Sequence, residues 1–206
     1  MATAKSQKTL TEAVKEDHQE MYEYYEEYKR SKGDQDAQAR WSRQLIWEVV
    51  RHAVGEEIVV YPLMEQKLGK KGLELTDQDR RDHQYAKEKL AYLEGITPGS
   101  DEYDGVLEDV MQHLRKHNDS EEQEDLPLLE PQLGTEVSKE AAQSFSRTKK
   151  FVPTRAHPWA PNKPPYETLV GFMAMPIDKL KDHFARFPTE EMKEDMKEDM
   201  KGHASQ

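Results

Sequence analysis

Residues 52–62 read HAVGEEIVVYP and residues 117–127 read HNDSEEQEDLP, so that His, Glu, Glu and Pro recur in one order and spacing. The second stretch follows the first by 65 positions, the difference between 117 and 52. The same shift carries His18 onto His83. A repeat this regular indicates an internal duplication. Each half keeps two histidines and a glutamate, which are residue types that bind metals. The duplication therefore indicates a metal site as well as a repeated architecture.

The composition favours helices over sheets. Charged residues make up 34% of the 206 residues and apolar ones 35%, and the mean hydropathy is −1.03. The surface must therefore be heavily solvated, and any core must be a narrow, well-patterned apolar stripe. We expect one domain of about 150 residues with additional segments.

The net charge of −11 disfavours nucleic acid and anionic membrane surfaces as partners, because both are themselves negative. The absence of cysteine excludes disulfides and iron–sulfur clusters and leaves His and carboxylate as the strong metal ligands. No apolar run approaches the ~18 residues of a membrane span, and residues 1–10 lack a signal-peptide core. We predict a cytoplasmic location.

Apolar positions at helical spacing, together with cap residues, predict four amphipathic helices. Thr9 opens a capping box before the first, Thr76-Asp77 caps the third, and Ser100 caps the fourth. Pro62 and Pro127 predict kinks in the second and the fourth. The predicted helices cover about 9–32, 34–69, 76–95 and 100–134. Joined by short turns, they predict an all-α, up-down-up-down four-helix bundle with internal two-fold duplication.

The rest of the chain is predicted to extend this bundle. Residues 135–150 carry a further helical pattern, which completes a domain over 9–150. Five prolines within 151–165 predict an extended connection, and 166–187 predict one or two short helices broken at Pro176. We expect 151–190 to pack on the bundle through Trp159, Phe172, Met173 and Leu180. The charged, low-complexity residues 191–206 predict frayed helix or disorder.

The spacing of the histidines and glutamates predicts a metal site. Residues four apart share a helix face, so His52 with Glu56, and His117 with Glu121, each present an imidazole and a carboxylate together. One such pair in a Glu-rich chain is more often a solvated surface pair. Two pairs in register, with a matching histidine on each partner helix, bring four imidazoles and two carboxylates to one axis. Such ligands suit iron, manganese or zinc, and carboxylates that can bridge favour two metals.

The pattern differs from two familiar metal templates and matches a third. The Glu-x-x-His of ferritin-like di-iron bundles and the His-Glu-x-x-His of metalloproteases are both absent. The chain resembles the hemerythrin family, in particular hemerythrin-like HHE cation-binding domains, over about residues 9–134. That resemblance implies a non-haem di-iron site with two irons per chain. It implies bridging ligands Glu56 and Glu121 and terminal ligands His18, His52, His83 and His117.

The chain also departs from the oxygen-carrying members of that family. They have a second His one turn after the third-helix His, where this chain has Lys87, and His-x4-Asp on the fourth helix instead of His-x3-Glu. These departures disfavour reversible oxygen carriage and resemble the iron-responsive members of the family.

The two halves differ near the predicted metals. Tyr22 matches Lys87, and Glu48 matches His113. His113 is either a fifth nitrogen ligand or a core or rim histidine, and Tyr22 either donates a hydrogen bond to a bound gas or packs as an aromatic. Glu57, like its repeat partner Glu122, either orients an imidazole or is solvated.

The sequence leaves three functions open. The first is a di-iron protein that handles dioxygen, peroxide or nitric oxide, or senses iron. The second is an enzyme, a di-iron oxidase or oxygenase acting on a small organic substrate near Tyr22, Lys87 and His113. The third is an interaction protein in which metal stabilises the bundle and the tail recruits a partner.

Overall fold

The computed structural model describes residues 8–163 and 166–203, without the side chains of 166–173 and 202–203. The described residues form helices and loops and no strand. In chain order the helices are α1 (Leu10–Arg30), α2 (Gln35–Gly55), the π-helical turn π1 (Glu56–Val60), α3 (Tyr61–Leu68), α4 (Lys70–Leu93), α5 (Asp101–Ser120), a second π-helical turn π2 (Glu121–Asp125), α6 (Leu126–Leu133), α7 (Thr135–Thr148), α8 (Tyr166–Phe184) and α9 (Glu190–His203). The all-helical class predicted from the sequence is confirmed.

Side-chain caps begin the first, second and fifth helices where the sequence places them. The Thr9 hydroxyl accepts from the backbone N–H of Glu12, whose carboxylate accepts from the N–H of Thr9, which is a complete capping box. Asp34 caps α2 by accepting from the N–H of Ala37. Ser100 caps α5 in the same way. These starts are predictable because a cap uses only residues three positions apart.

The predicted start of the next long helix at Thr76-Asp77 is wrong, because α4 begins at Lys70. Gly69 has φ of 59° and makes the whole turn after α3, so the chain becomes helical again at once. The Thr76 hydroxyl donates to Glu65 instead of capping a helix. Gly72 lies so close to α3 that a Cβ there would be 2.2 Å from the Met64 carbonyl oxygen.

A π-helical turn precedes each of the two prolines that were expected to kink their helices. The N–H of Tyr61 donates to the carbonyl of Glu56, five residues back, and the N–H of Leu126 donates to Glu121 in the same way. Proline has no N–H, so an α-helix would lose one backbone hydrogen bond at that position. The π-helical turn accommodates this loss by changing the hydrogen-bond spacing just before the proline. Glu56 and Glu57, which begin the first π-helical turn, are both fully buried.

Two apolar clusters flank the centre of the molecule. The larger one joins α1, α2, α4 and α5 and includes Trp41, Leu45 and Leu107. The smaller one joins α1, α3, α6 and α7 and includes Tyr61 and Phe145. Along α1, His18 lies between the residues of the smaller cluster and those of the larger one, whereas His52 of α2 lies between Val50 and Val54 of the larger cluster.

Asp178 of α8 anchors the proline-rich connection. Its carboxylate accepts from the backbone N–H groups of Thr154 and Arg155 and lies 3.0 Å from His157 Nε2. Burial raises the pKa of Asp178, but these hydrogen bonds outweigh it and lower that pKa below its usual value. The segment is thus tied to α8 by polar contacts.

Two of the four apolar anchors expected for this region are exposed instead of packed. Trp159 is 71% exposed and Leu180 63% exposed, whereas the side chains of Phe172 and Met173 lie outside the described residues. The predicted break at Pro176 is also wrong, since α8 continues through it. A proline inside a helix removes one backbone hydrogen bond but need not end the helix.

Residues 191–203 of the low-complexity tail, for which the sequence favoured frayed helix or disorder, lie in the helix α9, and 204–206 lie outside the described residues. Its Met-Lys-Glu-Asp repeat has a period of four, which places Met192, Met196 and Met200 on one face. Met196 is buried in the larger cluster, and the other two pack against it. Among the described residues, no helix is both long and apolar enough to cross a membrane.

Candidate metal centre

Four buried imidazoles meet in two pairs at the centre of the molecule. His18 Nε2 lies 3.1 Å from His52 Nε2. His83 Nε2 lies 3.1 Å from His117 Nε2. Each pair joins two neighbouring helices, α1 with α2 and α4 with α5. All four predicted histidines are therefore brought together.

The other ring nitrogen of three of these imidazoles faces a carboxylate. His18 Nδ1 lies 2.8 Å from Glu122, His52 Nδ1 3.1 Å from Asp17, and His83 Nδ1 3.1 Å from Glu57. A carboxylate accepts a hydrogen bond from the Nδ1–H, which turns Nε2 towards the opposing ring. This assignment of the tautomers follows from the partners.

The two predicted bridging glutamates lie beside the imidazoles, and Glu56 reaches both pairs whereas Glu121 reaches the first. Glu56 Oε1 is 3.1 Å from His52 Nε2, and its Oε2 is 3.3 Å from His83 Nε2, so this carboxylate reaches both pairs. Glu121 Oε2 is 3.5 Å from His18 Nε2. Both carboxylates are fully buried, and neither has an oxygen with a hydrogen-bond partner among the described residues.

These side chains divide into two groups that share Glu56. Within each group the potential ligand atoms lie within 4.8 Å of one another. The first group is His18, His52, Glu56 and Glu121, and the second is Glu56, His83 and His117. All six side chains predicted from the sequence thus converge, and metal binding by them stays a prediction.

Burial and crowding shift the pKa values of the two glutamates in opposite directions. Burial alone raises the pKa of Glu56, but the charges of the nearby His52 and His83 imidazoles hold it well below its usual value. Burial and the charge of Glu56 raise the pKa of Glu121 well above its usual value. Two carboxylates this close cannot both stay charged without a nearby cation.

Lysines neutralise the carboxylates behind the imidazoles. Lys87 Nζ lies 2.5 Å from Glu57, and the buried Lys149 contacts both Asp17 and Glu48. The sequence analysis missed Lys149 and the role of Asp17. Asp17 did carry a signal, since the repeat places an aspartate directly before the first histidine of each half.

His117 is the exception among the four imidazoles. Its Nδ1 is 3.7 Å from Asp79 and 3.9 Å from Asp82, beyond hydrogen-bond range. Asp79 and Asp125 are both buried, and each has one oxygen without a partner among the described residues. Burial and the charge of Asp125 raise the pKa of Asp79 to about 8. Burial and the neighbouring Glu124 raise the pKa of Asp125 to about 6.

His113 and Tyr22, at which the two halves differ, contact residues around the proposed site and belong to neither ligand group. His113 Nε2 lies 3.0 Å from Asp82, and its ring packs on Tyr85, so His113 is outside both ligand groups. The Tyr22 hydroxyl accepts a hydrogen bond from Asn118 at 2.9 Å. Glu57 and Glu122 hold imidazoles, as one of the two readings of the sequence predicted.

A small cavity lies beside three of the imidazoles. Its volume is about 10 Å³, roughly the room that one water molecule needs. Its lining is mainly apolar, and its polar members besides the imidazoles of His52, His83 and His117 are Lys87 and Asn118. A diatomic molecule fits such a space better than an organic substrate does.

Comparison with known proteins agrees with this geometry. The family model described as hemerythrin HHE cation binding domain matches residues 9–129. An uncharacterised hemerythrin-like protein of Schizosaccharomyces pombe is 46% identical over 179 residues, which cover 87% of this chain and 88% of that relative. No solved structure matches significantly.

Proposed function

The chain belongs to the hemerythrin HHE cation-binding family, and on that premise we propose that it is a non-haem di-iron protein. The ligands would be His18, His52, Glu56, His83, His117 and Glu121, which converge in two groups. Such a centre would handle dioxygen, peroxide or nitric oxide, or sense iron.

One observation carries the proposal. In the pair formed by His18 and His52, both Nδ1 atoms face carboxylates, and the two Nε2 atoms lie 3.1 Å apart. Burial lowers the pKa of His52, but the charges of Glu56 and Asp17 outweigh it and raise that pKa to about 9, so the two rings share a proton in the metal-free chain. A metal cation would replace that proton and be held by both nitrogens. The fully buried, unpartnered oxygens of Glu56 and Glu121 supply the matching negative charge.

The division of the ligands supports two metals. Each imidazole pair has its own Glu56 oxygen, at 3.1 Å for His52 and 3.3 Å for His83. A single tetrahedral ion uses four ligands, fewer than the six present. We propose that Glu56 and Glu121 bridge two ions, each with imidazoles from one half of the chain.

The architecture follows the same two-fold scheme. We propose that α1, α2, α4 and α5 form an up-down-up-down bundle in which the second pair repeats the first. The π-helical turns begin at Glu56 and Glu121, which differ by the 65 positions that also separate the histidines. Equivalent turns at equivalent ligands are expected of a duplicated unit.

The donor set and the family both favour iron. Imidazole and carboxylate suit iron, manganese and zinc, while the chain has no thiolate to select softer metals. Iron bound here would supply one-electron chemistry towards a small oxidant. The chain's own residues would fix the imidazoles through Asp17, Glu57 and Glu122 and keep water out by burial.

The size of the cavity favours a gas or peroxide over an organic substrate. The cavity of about 10 Å³ beside His52, His83 and His117 is itself too small for a larger molecule. The alternative, a di-iron oxidase or oxygenase acting on a small organic substrate, would require this cavity to open. A cytoplasmic location, and the absence of nucleic-acid and membrane partners, belong to the same proposal.

Thermal unfolding tests the proposal. Ligands that bind only the folded state add to its stability, so chelation should lower the melting temperature of the iron-loaded chain by several degrees. Glu56→Ala and Glu121→Ala should remove that difference, because each loses a bridge. The exposed Glu140, substituted by alanine, is the matched control and should retain the difference. Equal melting curves for loaded and chelated wild-type protein would overturn the proposal.

A further inference from the structure

Two buried aspartates break the two-fold repeat on one side of the centre. Asp79 matches Val14 and Asp125 matches Val60 under the 65-position shift. All four side chains are buried, at 4% and 2% exposure for the aspartates and 0% for both valines. The second half therefore places carboxylates where the first half has apolar packing.

Burying a carboxylate without full hydrogen bonding costs free energy, whereas burying a valine does not. Asp79 Oδ2 and Asp125 Oδ1 have no hydrogen-bond partner among the described residues. An unpaired buried carboxylate is unfavourable unless a proton or a cation neutralises it. Every carboxylate that holds an imidazole of the first half lies within 4 Å of a lysine, Lys149 for Asp17 and Lys15 for Glu122.

Both aspartates lie next to residues of the proposed centre. Asp79 Oδ1 is 3.7 Å from His117 Nδ1 and, with Asp82, forms a further cluster of potential ligand atoms within 4.8 Å of one another. Asp125 follows Glu121 by four residues within π2. Its neighbour Glu124 is exposed, so π2 itself reaches the surface.

We propose that Asp79 and Asp125 form a transit site for a divalent cation, through which the dinuclear centre is filled from the side of π2 and α4. The proposal rests on the proposed function, because it needs a centre to fill. Carboxylate oxygens are suitable ligands for ferrous iron and similar cations. Two of them hold a hydrated ion weakly enough to release it to Glu121 and Glu56. On the opposite side, Val14 and Val60 close the equivalent route.

Uptake of Co²⁺ by the metal-free full-length chain tests this inference. Visible absorption of the bound ion, followed by stopped flow, gives the rate and the final number of ions without any redox reaction. The variant Asp79→Asn/Asp125→Asn should take up Co²⁺ at least about tenfold more slowly, by analogy with the loss that outer-shell substitutions cause in metal sites. It should still reach the wild-type stoichiometry.

The control is Asp119→Asn, which removes one carboxylate from an exposed position of α5 and should leave the rate unchanged. Denaturation of the metal-free double variant should occur at the wild-type midpoint or higher, since two buried carboxyl groups without full hydrogen bonding are gone.

An unchanged uptake rate in the double variant would overturn the transit site. So would a lower final stoichiometry, which would make the aspartates ligands, or a clear loss of metal-free stability, which would make them structural. If wild-type protein itself binds no Co²⁺, the proposed function fails instead, and the two failures are distinguishable.

Discussion

Replacing Lys149 by methionine removes a charge that the sequence alone does not connect with the centre. The ammonium contacts Asp17, which holds His52, and lies 2.5 Å from Glu48. Asp17 is 8% exposed and Glu48 is 2% exposed, so both would stay buried with one partner fewer, Asp17 keeping His52 and Glu48 keeping Arg51. Methionine keeps the length and most of the apolar stem of the lysine.

The expected loss of stability is about 3–5 kcal/mol, the usual effect of removing one partner from a buried ion pair. Chemical denaturation of the metal-free protein at neutral pH measures it. Lys139→Met on the same helix is the matched control, because Lys139 pairs with the exposed Glu136 and such pairs contribute only about 0–1 kcal/mol. The control should unfold near the wild-type midpoint.

The same substitution should weaken metal binding by roughly 10–100-fold, because Asp17 would no longer be held against His52 Nδ1. Competition with a chelator measures this. Adding Asp17→Asn should cost much less in Lys149→Met than in the wild type, since contacting residues are not additive. A stability loss below about 1 kcal/mol, or an unchanged affinity, would refute the assignment of Lys149 to this network.

Three further predictions follow from single positions. Gly72→Ala should destabilise by at least about 2 kcal/mol in chemical denaturation, since its Cβ would lie 2.2 Å from a carbonyl oxygen. Gly105→Ala, in an open helical position, should stabilise by about 0.5–1 kcal/mol, and equal effects would contradict the close packing. Asp178 has a lowered pKa in the folded state, so its contribution is present above the unfolded pKa of about 3.9 and is lost as pH falls through the folded pKa. Asp178→Asn should lose about 1–3 kcal/mol at pH 7 and show a weaker acid dependence, whereas a wild-type pH profile would refute that role. His113→Ala should leave the metal content nearly unchanged, while His117→Ala should lower it; equal loss in elemental analysis would make His113 a ligand.

Most helix starts were predictable because their signals are local. The capping box at Thr9 and the caps at Asp34 and Ser100 each involve residues three apart, so the sequence contains them completely. The start of α4 was missed because Thr76 resembles a cap, whereas its hydroxyl bonds to Glu65 on another helix. Pro62 and Pro127 indicated irregular helices, but the sequence did not predict that the irregularity would be a π-helical turn.

The six converging side chains were predictable because their spacing is the same in both halves of the repeat. Their supports were not, because these depend on residues distant in sequence. Lys149 is 132 positions from Asp17, and no periodicity connects them. Asp79 and Asp125 were accessible in principle, since aligning the two halves shows aspartate opposite valine. Only their burial gives that difference a physical meaning.

The metal content of the full-length chain, purified without oxygen and measured by elemental analysis, tests the central claim most directly. The convergence of four imidazoles with two buried, unpartnered carboxylates predicts about two iron atoms per chain. It also predicts an absorption spectrum that changes on exposure to air. One zinc ion per chain, with a spectrum that air does not alter, would contradict the account.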